Sequence, residues 1–257
     1  MTLLDVRDLT VNFGVVSANL GINLDVNAGE VVGLIGPNGA GKTTFIDAVT
    51  GFVKVTTGRV QFGDTDLTDM SPARRARAGL SRTFQSLELF EDLTVLDNLL
   101  AAASQPLWSS VLRDLVLPGR GAAVGREQAQ WALNVLGIEA VANRMPGELS
   151  HGQRKVVGVA RALAMKPQLV LLDEPAAGLD TAETAAMAAQ VRGLTQHGIA
   201  VLLVDHDMSL VASVCDRVVV LDLGTVIATG TPAEVLANPA VVAAYLGASA
   251  TRGLGHG

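Results

Sequence analysis

The sequence predicts an α/β fold with a mainly parallel sheet, an N-terminal antiparallel β subdomain and a helical insertion subdomain. Two apolar runs, Leu169–Leu172 and Ile199–Val204, flank helical spacing over Thr184–Thr195, and such a β-α-β unit implies parallel strands. Short alternating segments with turn signals fill the N-terminal part and indicate antiparallel strands. The stretch of about 87–165 is richer in Leu and Ala at helical spacing, which predicts helices.

The order of elements follows from these patterns. Near the N-terminus, alternation of apolar and polar residues predicts strands, namely Leu4–Arg7, Leu9–Phe13, Ile22–Val26 and Gly58–Gly63. After the β-α-β unit, Arg217–Ile227 predicts a hairpin, and a helix follows from Pro232. With 257 residues, we expect one domain over 1–247, with 1–86 and 166–247 as its core, 87–165 as the helical subdomain and 248–257 as a tail.

Composition and charge exclude some classes of protein. The net charge of −6 disfavours a nucleic-acid partner, because the phosphates would be repelled. The first residues show no basic stretch followed by an apolar run, so we expect no export signal. The longest uncharged runs, Leu9–Leu24 and Asn98–Leu112, are short and interrupted by polar residues, so we expect that the chain does not itself cross a membrane.

A phosphate-binding loop is the strongest motif in the chain. The apolar run Val31–Ile35 predicts a buried strand, and the pattern G-x-x-x-x-G-K-[ST] follows it immediately. This phosphate loop consists of Gly36, Pro37, Asn38, Gly39, Ala40, Gly41, Lys42, Thr43 and Thr44. Its backbone N–H groups and the start of the following helix would surround a phosphate chain. Lys42 would contact the β- and γ-phosphates as a catalytic charge, and Thr43 would ligate Mg²⁺.

The alternative for this loop is an ordinary glycine-rich turn between a strand and a helix that happens to contain lysine. The strand before the loop and the amphipathic helix start after it favour nucleotide binding. We therefore predict the core of a P-loop NTPase, with ATP as its ligand.

Two carboxylates follow the buried run Leu169–Leu172. Asp173 and Glu174 thus lie at the carboxyl end of a predicted strand, where open α/β sheets bind ligands. Asp173 would hold Mg²⁺ through a water molecule, and Glu174 would accept a proton from the water that attacks the γ-phosphate. The alternative is a polar end of a strand without a catalytic role, and the phosphate loop in the same chain favours the catalytic interpretation.

With these motifs the chain resembles the ABC ATPases, and the resemblance runs from about Leu3 to Gly247. The segment 149–153, Leu-Ser-His-Gly-Gln, resembles the signature segment of that family. Ser150 is placed as a helix N-cap, so its hydroxyl and the free N–H groups would face an anion; an ordinary N-cap is the alternative. The resemblance implies that Ser150, Gly152 and Gln153 cover the γ-phosphate held by a partner subunit. His151 departs from the family's usual glycine.

Further positions match the family residue by residue. The resemblance implies that Phe13 stacks on adenine, although a strand phenylalanine is more often a core residue. It implies that Gln85 contacts Mg²⁺ and the attacking water and links the site to a transmembrane partner, although a solvated loop glutamine is the alternative. It implies that Asp180 contacts the second subunit, and Asp180 also forms a plausible capping box with Glu183.

His206 follows the run Val201–Val204 and Asp205, so we expect it at the same sheet edge as Glu174. In the family this histidine holds the γ-phosphate and orients the glutamate and the water. A lone histidine is more often structural, but its place directly after the next strand favours the functional interpretation.

One branch of the family is especially similar. The segments that carry this similarity are Arg82-Thr83-Phe84-Gln85, Leu89-Phe90, Leu93–Leu99, Pro175–Asp180, Asp205–Met208 and Ala244–Gly247. They resemble the ATPase subunits of branched-chain amino acid importers, with amide and urea importers as near relatives. The resemblance implies a second ATPase subunit bound head to tail, permease subunits, indirectly a solute-binding protein, and a peripheral location at the cytoplasmic face of the inner membrane.

Two other functions stay open at this point. A soluble ATP-driven clamp would carry long coiled coils or two tandem ATPase cores, and the sequence shows neither. The ATPase of a lipid or lipopolysaccharide exporter shares every catalytic motif. Failure to associate with an importer permease would favour either alternative.

Overall fold

Two sheets organise the protein. The computed structural model describes residues 1–83, 89–103 and 120–253, with only the backbone for 120–122 and 247–253. In the described ranges the strands are β1 Thr2–Phe13, β2 Val16–Asn27, β3 Val31–Ile35, β4 Thr57–Phe62, β5 Thr65–Asp66, β6 Leu80–Arg82, β7 Leu169–Asp173, β8 Ala200–Val204, β9 Arg217–Asp222 and β10 Thr225–Gly230. A four-stranded antiparallel sheet has the order β2-β1-β4-β5, and a six-stranded sheet has the order β10-β9-β3-β8-β7-β6.

Helices cover the larger sheet and build the middle of the chain. In the described ranges they are α1 Lys42–Thr50, α2 Pro72–Arg77, α3 Val95–Ala103, α4 Arg120–Leu136, α5 His151–Leu163, α6 Thr181–Gln196, α7 Met208–Val214, α8 Pro232–Leu236 and α9 Pro239–Gly253. Short 3₁₀ turns at Glu139–Val141 and Pro146–Glu148 precede α5. None of these helices combines the length and the hydrophobicity that a bilayer crossing requires, within the part of the chain that the structure describes.

The six-stranded sheet is parallel except at its edge. Strands β6, β7, β8, β3 and β9 run parallel, and β10 pairs antiparallel with β9 as the predicted hairpin. Successive side chains of a strand point to opposite faces. Val170 and Leu172 accordingly join the core beneath the helices, whereas Leu169 and Leu171 join the core shared with α1 and the antiparallel sheet. Because both faces are covered, these strands are continuously apolar.

The antiparallel sheet differs from the sequence prediction: β2 begins at Val16 and not at Ile22, the short β5 was not predicted, and β1 joins two predicted strands. The two predicted strands Leu4–Arg7 and Leu9–Phe13 are one strand, β1, with a register shift against β2 between Val6 and Leu9. Asp8 lies at this irregularity with a φ of 48°, and its N–H donates to Asn23 Oδ1 at 3.0 Å. A bulge of this kind accommodates an extra residue without ending the strand. Asp8 therefore does not separate two strands, as the sequence pattern predicted, but lies at an irregularity within one strand.

A buried arginine supports the helix that follows the phosphate loop. Arg75 of α2 is 2% exposed, and its guanidinium donates to the carbonyl oxygens of Ala48 and Val49 at 2.7 Å each. It also donates to Met70 O and Thr68 O at 2.9 Å. The last carbonyls of a helix have no intrahelical partner. Arg75 thus satisfies the end of α1 and fixes it to the loop before α2.

The middle of the chain contains the helices α3, α4 and α5 in the ranges that the structure describes. Helices α3, α4 and α5 pack against one another through buried residues that include Leu99, Leu133 and Val157. On its outer side, Arg154 of α5 forms an ion pair with Glu91. These helices fall within the predicted 87–165 segment, of which residues 104–119 lie outside the described ranges.

Candidate functional site

The phosphate loop joins the end of β3 to the start of α1. Gly41 is the N-cap residue of α1 with a φ of 98°, and a Cβ there would lie 2.5 Å from Ala18 O. Only glycine fits such a position. The Gly41 carbonyl accepts from Phe45 N–H at 2.9 Å and from Asn19 Nδ2 at 3.1 Å, which fixes the loop to α1 and β2. The N–H groups of the first turn of α1 have no intrahelical partner, as at any helix start.

Lys42 is folded back onto the loop. Its Nζ donates to Gly36 O at 2.7 Å and to Pro37 O at 2.9 Å. Burial lowers the pKa of the Lys42 ammonium, and the negative charges of Glu174 and Asp173 oppose this shift. The lysine of the loop and the carboxylates at the end of β7 therefore share one electrostatic environment, as the sequence predicts for a single site.

A cleft of about 510 Å³ lies against the loop, a size in the range of small-molecule sites. Its walls are the loop from Gly39 to Thr44, the start of β2 at Val16–Ala18, and the β9–β10 turn at Leu223–Gly224. Phe13 pairs with Val16 across the β1–β2 turn and is 54% exposed. Phe13 is therefore not a core residue, and its ring lies on the strand pair that borders this cleft.

Asp173 ends β7 and is buried. Its Oδ2 accepts from Arg82 Nη2 at 2.9 Å, and its N–H donates to Thr83 Oγ1 at 3.2 Å. Burial raises the pKa of Asp173, while the hydrogen bond and charge of Arg82 act in the opposite direction. Arg82 also pairs with Asp47 of α1. The first predicted carboxylate is thus tied to two neighbouring elements.

Glu174 has an unusual backbone conformation. Its φ is 48°, a region that residues other than glycine adopt rarely. Its N–H donates to Val204 O at 2.7 Å, and its carbonyl accepts from Lys155 Nζ at 3.2 Å. Unlike Asp173, its side chain is partly exposed, at 26%. These two contacts fix the backbone of Glu174 at the edge of the sheet.

His206 lies beside Glu174, as predicted from its place after β8. Its Nδ1 is 3.9 Å from Glu174 Oε1, and the ring is 61% exposed. Asp205, which precedes it, is 1% exposed and accepts from three backbone N–H groups, those of Ala176, His206 and Asp207, at 2.8 to 3.1 Å. Asp205 thus binds the end of β8 to the loop after Glu174, and the histidine is left facing solvent.

The signature segment forms the start of α5. Ser150 is the N-cap: its Oγ accepts from Gln153 N–H at 3.2 Å, and Gln153 Oε1 accepts from Ser150 N–H at 3.0 Å. This is a reciprocal capping box. Within the described ranges, the hydrogen bonds of the segment run to adjacent turns and to Ala177, and none reaches the phosphate loop.

Asp180 begins α6 in the same way and lies near the signature segment. Its Oδ1 accepts from Glu183 N–H at 2.8 Å, and Asp180 N–H donates to Glu183 Oε2 at 3.3 Å. A Cβ on Gly152 would lie 2.6 Å from Glu183 Oε1, so the two helix starts pack closely. His151 Nε2 lies 3.4 Å from Ala177 O, a second contact between the two segments.

The structure thus groups the predicted residues in two regions. The strand-end region comprises the phosphate loop, Asp173, Glu174 and His206, with Phe13 at the adjoining cleft. The helix-start region comprises the starts of α5 and α6, with Ser150, Gly152, Gln153 and Asp180. Gln85 lies outside the described residues, and its role stays a prediction.

Four charged residues of the strand-end region were missed as site residues by the sequence analysis: Asp47, Arg82, Lys155 and Asp205. Burial lowers the pKa of Lys155, opposed by Asp205, Glu174 and Asp173. A usable signal existed for Asp205, because it is a charged residue at the end of an apolar strand and directly precedes His206, and a weaker one for Arg82, which lies three residues before Gln85. The sequence gave no comparable signal for Asp47 and Lys155, because each is an ordinary charged residue within a helix.

Comparisons with known proteins agree with the geometry. The family model "ABC transporter" matches residues 20–177, and the model "Branched-chain amino acid ATP-binding cassette transporter" matches residues 225–251. The high-affinity branched-chain amino acid transport ATP-binding protein BraF of Pseudomonas aeruginosa is 39% identical over 249 residues, which cover 95% of this chain and 98% of BraF. The matches therefore extend over almost the whole chain.

Solved structures show the same fold. The ADP conformation of an ATP-binding cassette of an ABC transporter superposes with a TM-score of 0.85 at 34% identity, covering 96% of this chain and 99% of the other. A dimeric cassette in a post-hydrolysis state, bound to ADP and phosphate, gives a TM-score of 0.71 at 26% identity, covering 90% and 99%. Because the ABC transporter model covers more than half of the chain and BraF matches nearly all of it, the chain belongs to the ATP-binding cassette family of ABC transporters.

Proposed function

We propose that this chain is the ATP-binding and ATP-hydrolysing subunit of an importer for branched-chain amino acids or related small polar or amphipathic solutes. One observation carries the proposal: the strand-end region brings Lys42, Asp173, Glu174 and His206 to one sheet edge in a chain that is 39% identical to BraF over 95% of its length. The geometry supports hydrolysis, and the similarity supports the solute class.

ATP would bind through the phosphate loop. The first-turn N–H groups of α1 and the positive end of its dipole would face the phosphate chain, and Lys42 would exchange its bonds to Gly36 O and Pro37 O for bonds to phosphate oxygens. The exposed ring of Phe13, beside the cleft, would stack on the adenine base. The Phe13 ring is accessible for such stacking because it is exposed and lies on the strand pair that borders the cleft.

Hydrolysis would use Glu174 and His206. The Glu174 carboxylate would accept a proton from the attacking water, and His206, with Nδ1 3.9 Å away, would orient this carboxylate and donate to the γ-phosphate. Gln85 would contact the same water. The positive φ of Glu174 is held by Val204 O and Lys155 Nζ, so the base is positioned by the backbone around it.

The residues present fit a magnesium ion. Asp173 and Thr43 offer carboxylate and hydroxyl oxygens, which are the ligand types that Mg²⁺ prefers. Thr43 would bind the ion directly, Asp173 through a water molecule, and Gln85 from its own segment. When bound, the ion would neutralise charge on the β- and γ-phosphates.

The helix-start region would complete the site of a second subunit. Ser150, Gly152, Gln153 and Asp180 make no hydrogen bond to the phosphate loop of their own chain among the described residues, and Ser150, Gln153 and Asp180 are exposed at helix starts. Two subunits bound head to tail would place each signature segment over the other's nucleotide. A cassette of similar fold has been solved as a dimer bound to ADP and phosphate. The second subunit is this chain or a related ATPase.

The membrane partners follow from the same reasoning. We infer permease subunits that bind the helical part and the segment after Gln85, a solute-binding protein that acts through them, and no nucleic acid. The chain would lie peripherally at the cytoplasmic face of the inner membrane.

Reconstitution tests this function. Permeases that copurify with the tagged chain are placed in liposomes with MgATP, and uptake of leucine, isoleucine and valine is measured against uptake of acetamide and urea. ATP-dependent uptake of the amino acids, abolished by Glu174→Gln, is expected. Uptake of amide or urea alone would exclude branched-chain amino acids as the solute and leave the related small polar solutes. Copurification with an exporter, or with no membrane protein, would contradict the importer.

A further inference from the structure

One buried guanidinium connects two elements of the strand-end region. Arg82 ends β6 at the edge of the six-stranded sheet, with its side chain 8% exposed. Its Nη2 lies 2.9 Å from Asp173 Oδ2 at the end of β7, and its Nη1 bonds to Asp47 Oδ1 in α1. Asp47 belongs to the helix that begins with Lys42 and Thr43. Arg82 therefore fixes the Asp173 carboxylate relative to that helix.

The next residue holds the backbone of the same aspartate. Thr83 Oγ1 accepts from Asp173 N–H at 3.2 Å, and Thr83 N–H donates to Leu171 O at 2.9 Å. Two consecutive residues thus fix Asp173, one through its carboxylate and one through its N–H. Gln85 follows two residues later in the chain.

The chemistry of arginine suits this position. A planar guanidinium can donate to two carboxylates at once, whereas a lysine ammonium is a point charge. Removing one partner of a buried ion pair leaves an uncompensated charge, so the remaining carboxylates would move or take up a proton. The arrangement therefore restrains both the direction and the distance of Asp173 from the start of α1.

We propose that Arg82 is a positioning residue for magnesium, which holds the Asp173 carboxylate at a fixed place relative to Thr43 through its bridge to Asp47. The inference rests on the proposed roles of Asp173 and Thr43. Groups that orient metal ligands from outside typically contribute 10- to 100-fold to metal affinity. In this proposal Arg82 affects the metal through Asp173, so we expect its effect in states with metal.

The test measures binding of a fluorescent ATP analogue to the full chain with Mg²⁺ and with EDTA. For Arg82→Gln we expect binding without metal to stay within about twofold of the unchanged chain, and the gain in affinity from Mg²⁺ to fall by about 10- to 100-fold. Arg82→Lys should restore part of that gain, because it returns the charge without the second hydrogen bond. Arg59→Gln, which removes an exposed pair with Asp66, is the matched control.

A double-mutant cycle separates this role from general stability. In an Asp173→Asn background, Arg82→Gln should not further reduce the gain in affinity from Mg²⁺, since both changes interrupt the same interaction. If Arg82→Gln does not fold, Asp47→Asn is measured in its place, because it removes only the bond between Arg82 and α1. We then expect a smaller but measurable reduction of the gain in affinity from Mg²⁺.

The outcomes are distinct. An unchanged Mg²⁺ gain in folded Arg82→Gln overturns the inference, and so does an unchanged gain in Asp47→Asn where Arg82→Gln cannot be folded. An equal loss with and without metal also overturns it, because Arg82 would then support the nucleotide site as a whole. If the unchanged chain binds the analogue without any Mg²⁺ dependence, the proposed magnesium site itself fails.

Discussion

The strand-end region and the helix-start region present functional groups in different ways. In the former, contacts span the sequence: Arg82 and Asp173 are 91 residues apart, and Arg82 and Asp47 are 35 apart. In the latter, Ser150 and Asp180 each bond to a residue three positions ahead. The contacts of the strand-end region form only when the complete fold has formed, whereas each helix start of the helix-start region needs only its own first turn.

This difference matches the chemistry that each region would perform. Hydrolysis needs groups held within a fraction of an ångström, which buried long-range contacts provide. Closing over a partner's phosphate needs exposed donors on stable helix ends, which capping provides. The two regions should therefore respond differently to mutation, in chemistry and in assembly.

The largest expected effect concerns the chemistry of the strand-end region. Glu174→Gln removes the proposed base but keeps the shape, so turnover should fall by about 10²- to 10⁴-fold while ATP binding persists. Phosphate release at saturating MgATP measures this effect. Glu127→Gln, on the exposed face of α4, is the control. Hydrolysis near the unchanged rate would remove Glu174 from the role of base.

The second prediction concerns the support of the same region. Arg75→Met leaves the carbonyl oxygens of Ala48, Val49, Thr68 and Met70 without their buried donor, so the free energy of unfolding should fall by about 3 kcal/mol. Urea unfolding measures the change. Arg74→Met, at an exposed position of the same helix, should stay within about 0.5 kcal/mol. Equal stability of the two variants would show that long-range contacts do not carry this region.

The third prediction concerns the helix-start region. Ser150→Ala removes the cap of α5 and should lower the free energy of unfolding by about 1 kcal/mol. Thr231→Ala removes an equivalent cap at α8, boxed with Glu234, and should cost about the same. Only Ser150→Ala should weaken ATP-dependent pairing of subunits, measured by light scattering in the Glu174→Gln background. Equal pairing by both variants would contradict a shared site.

The smallest effect is expected at His151. His151→Gly introduces the residue usual in the family and removes the exposed 3.4 Å contact with Ala177 O, so unfolding and pairing should change by no more than about 0.5 kcal/mol, or about threefold. The same two assays measure it. A loss of pairing beyond about tenfold would instead place the imidazole among the groups that bind the partner's nucleotide.

The helix-start region was largely predictable from sequence because its interactions are local. The sequence predicted Ser150 as an N-cap and Asp180 in a capping box with Glu183, and the structure forms both. The reciprocal bond from Ser150 N–H to Gln153 was not predicted, although its spacing is that of a capping box. The phosphate loop and the apolar run before Asp173 were equally clear, since each is a continuous pattern. The fold class followed from the β-α-β unit and is confirmed by the solved cassettes.

The support of the strand-end region was not predictable in this way. Nothing in the spacing of Asp47, Arg82 and Asp173 shows that one guanidinium joins two of the carboxylates, because that depends on β6 lying beside β7 at the sheet edge. In the sequence, Arg75 is one of several arginines in a basic segment, which indicates a surface residue. It is buried only because α1 ends against it in the fold. Asp8 looked like the end of a strand, and the bulge that absorbs it depends on the register against β2.

The close packing of the starts of α5 and α6 leaves a carboxylate between them. Gly152 has no side chain, and the Glu183 carboxylate occupies the space where a Cβ would lie. Glu183 also accepts from Asp180 N–H, so its negative charge offsets part of the positive ends of the two helix dipoles. Any larger residue at position 152 would displace this carboxylate and separate the two helix starts. The absence of a side chain at 152 therefore sets the spacing at which both starts would meet the phosphates of a partner's nucleotide.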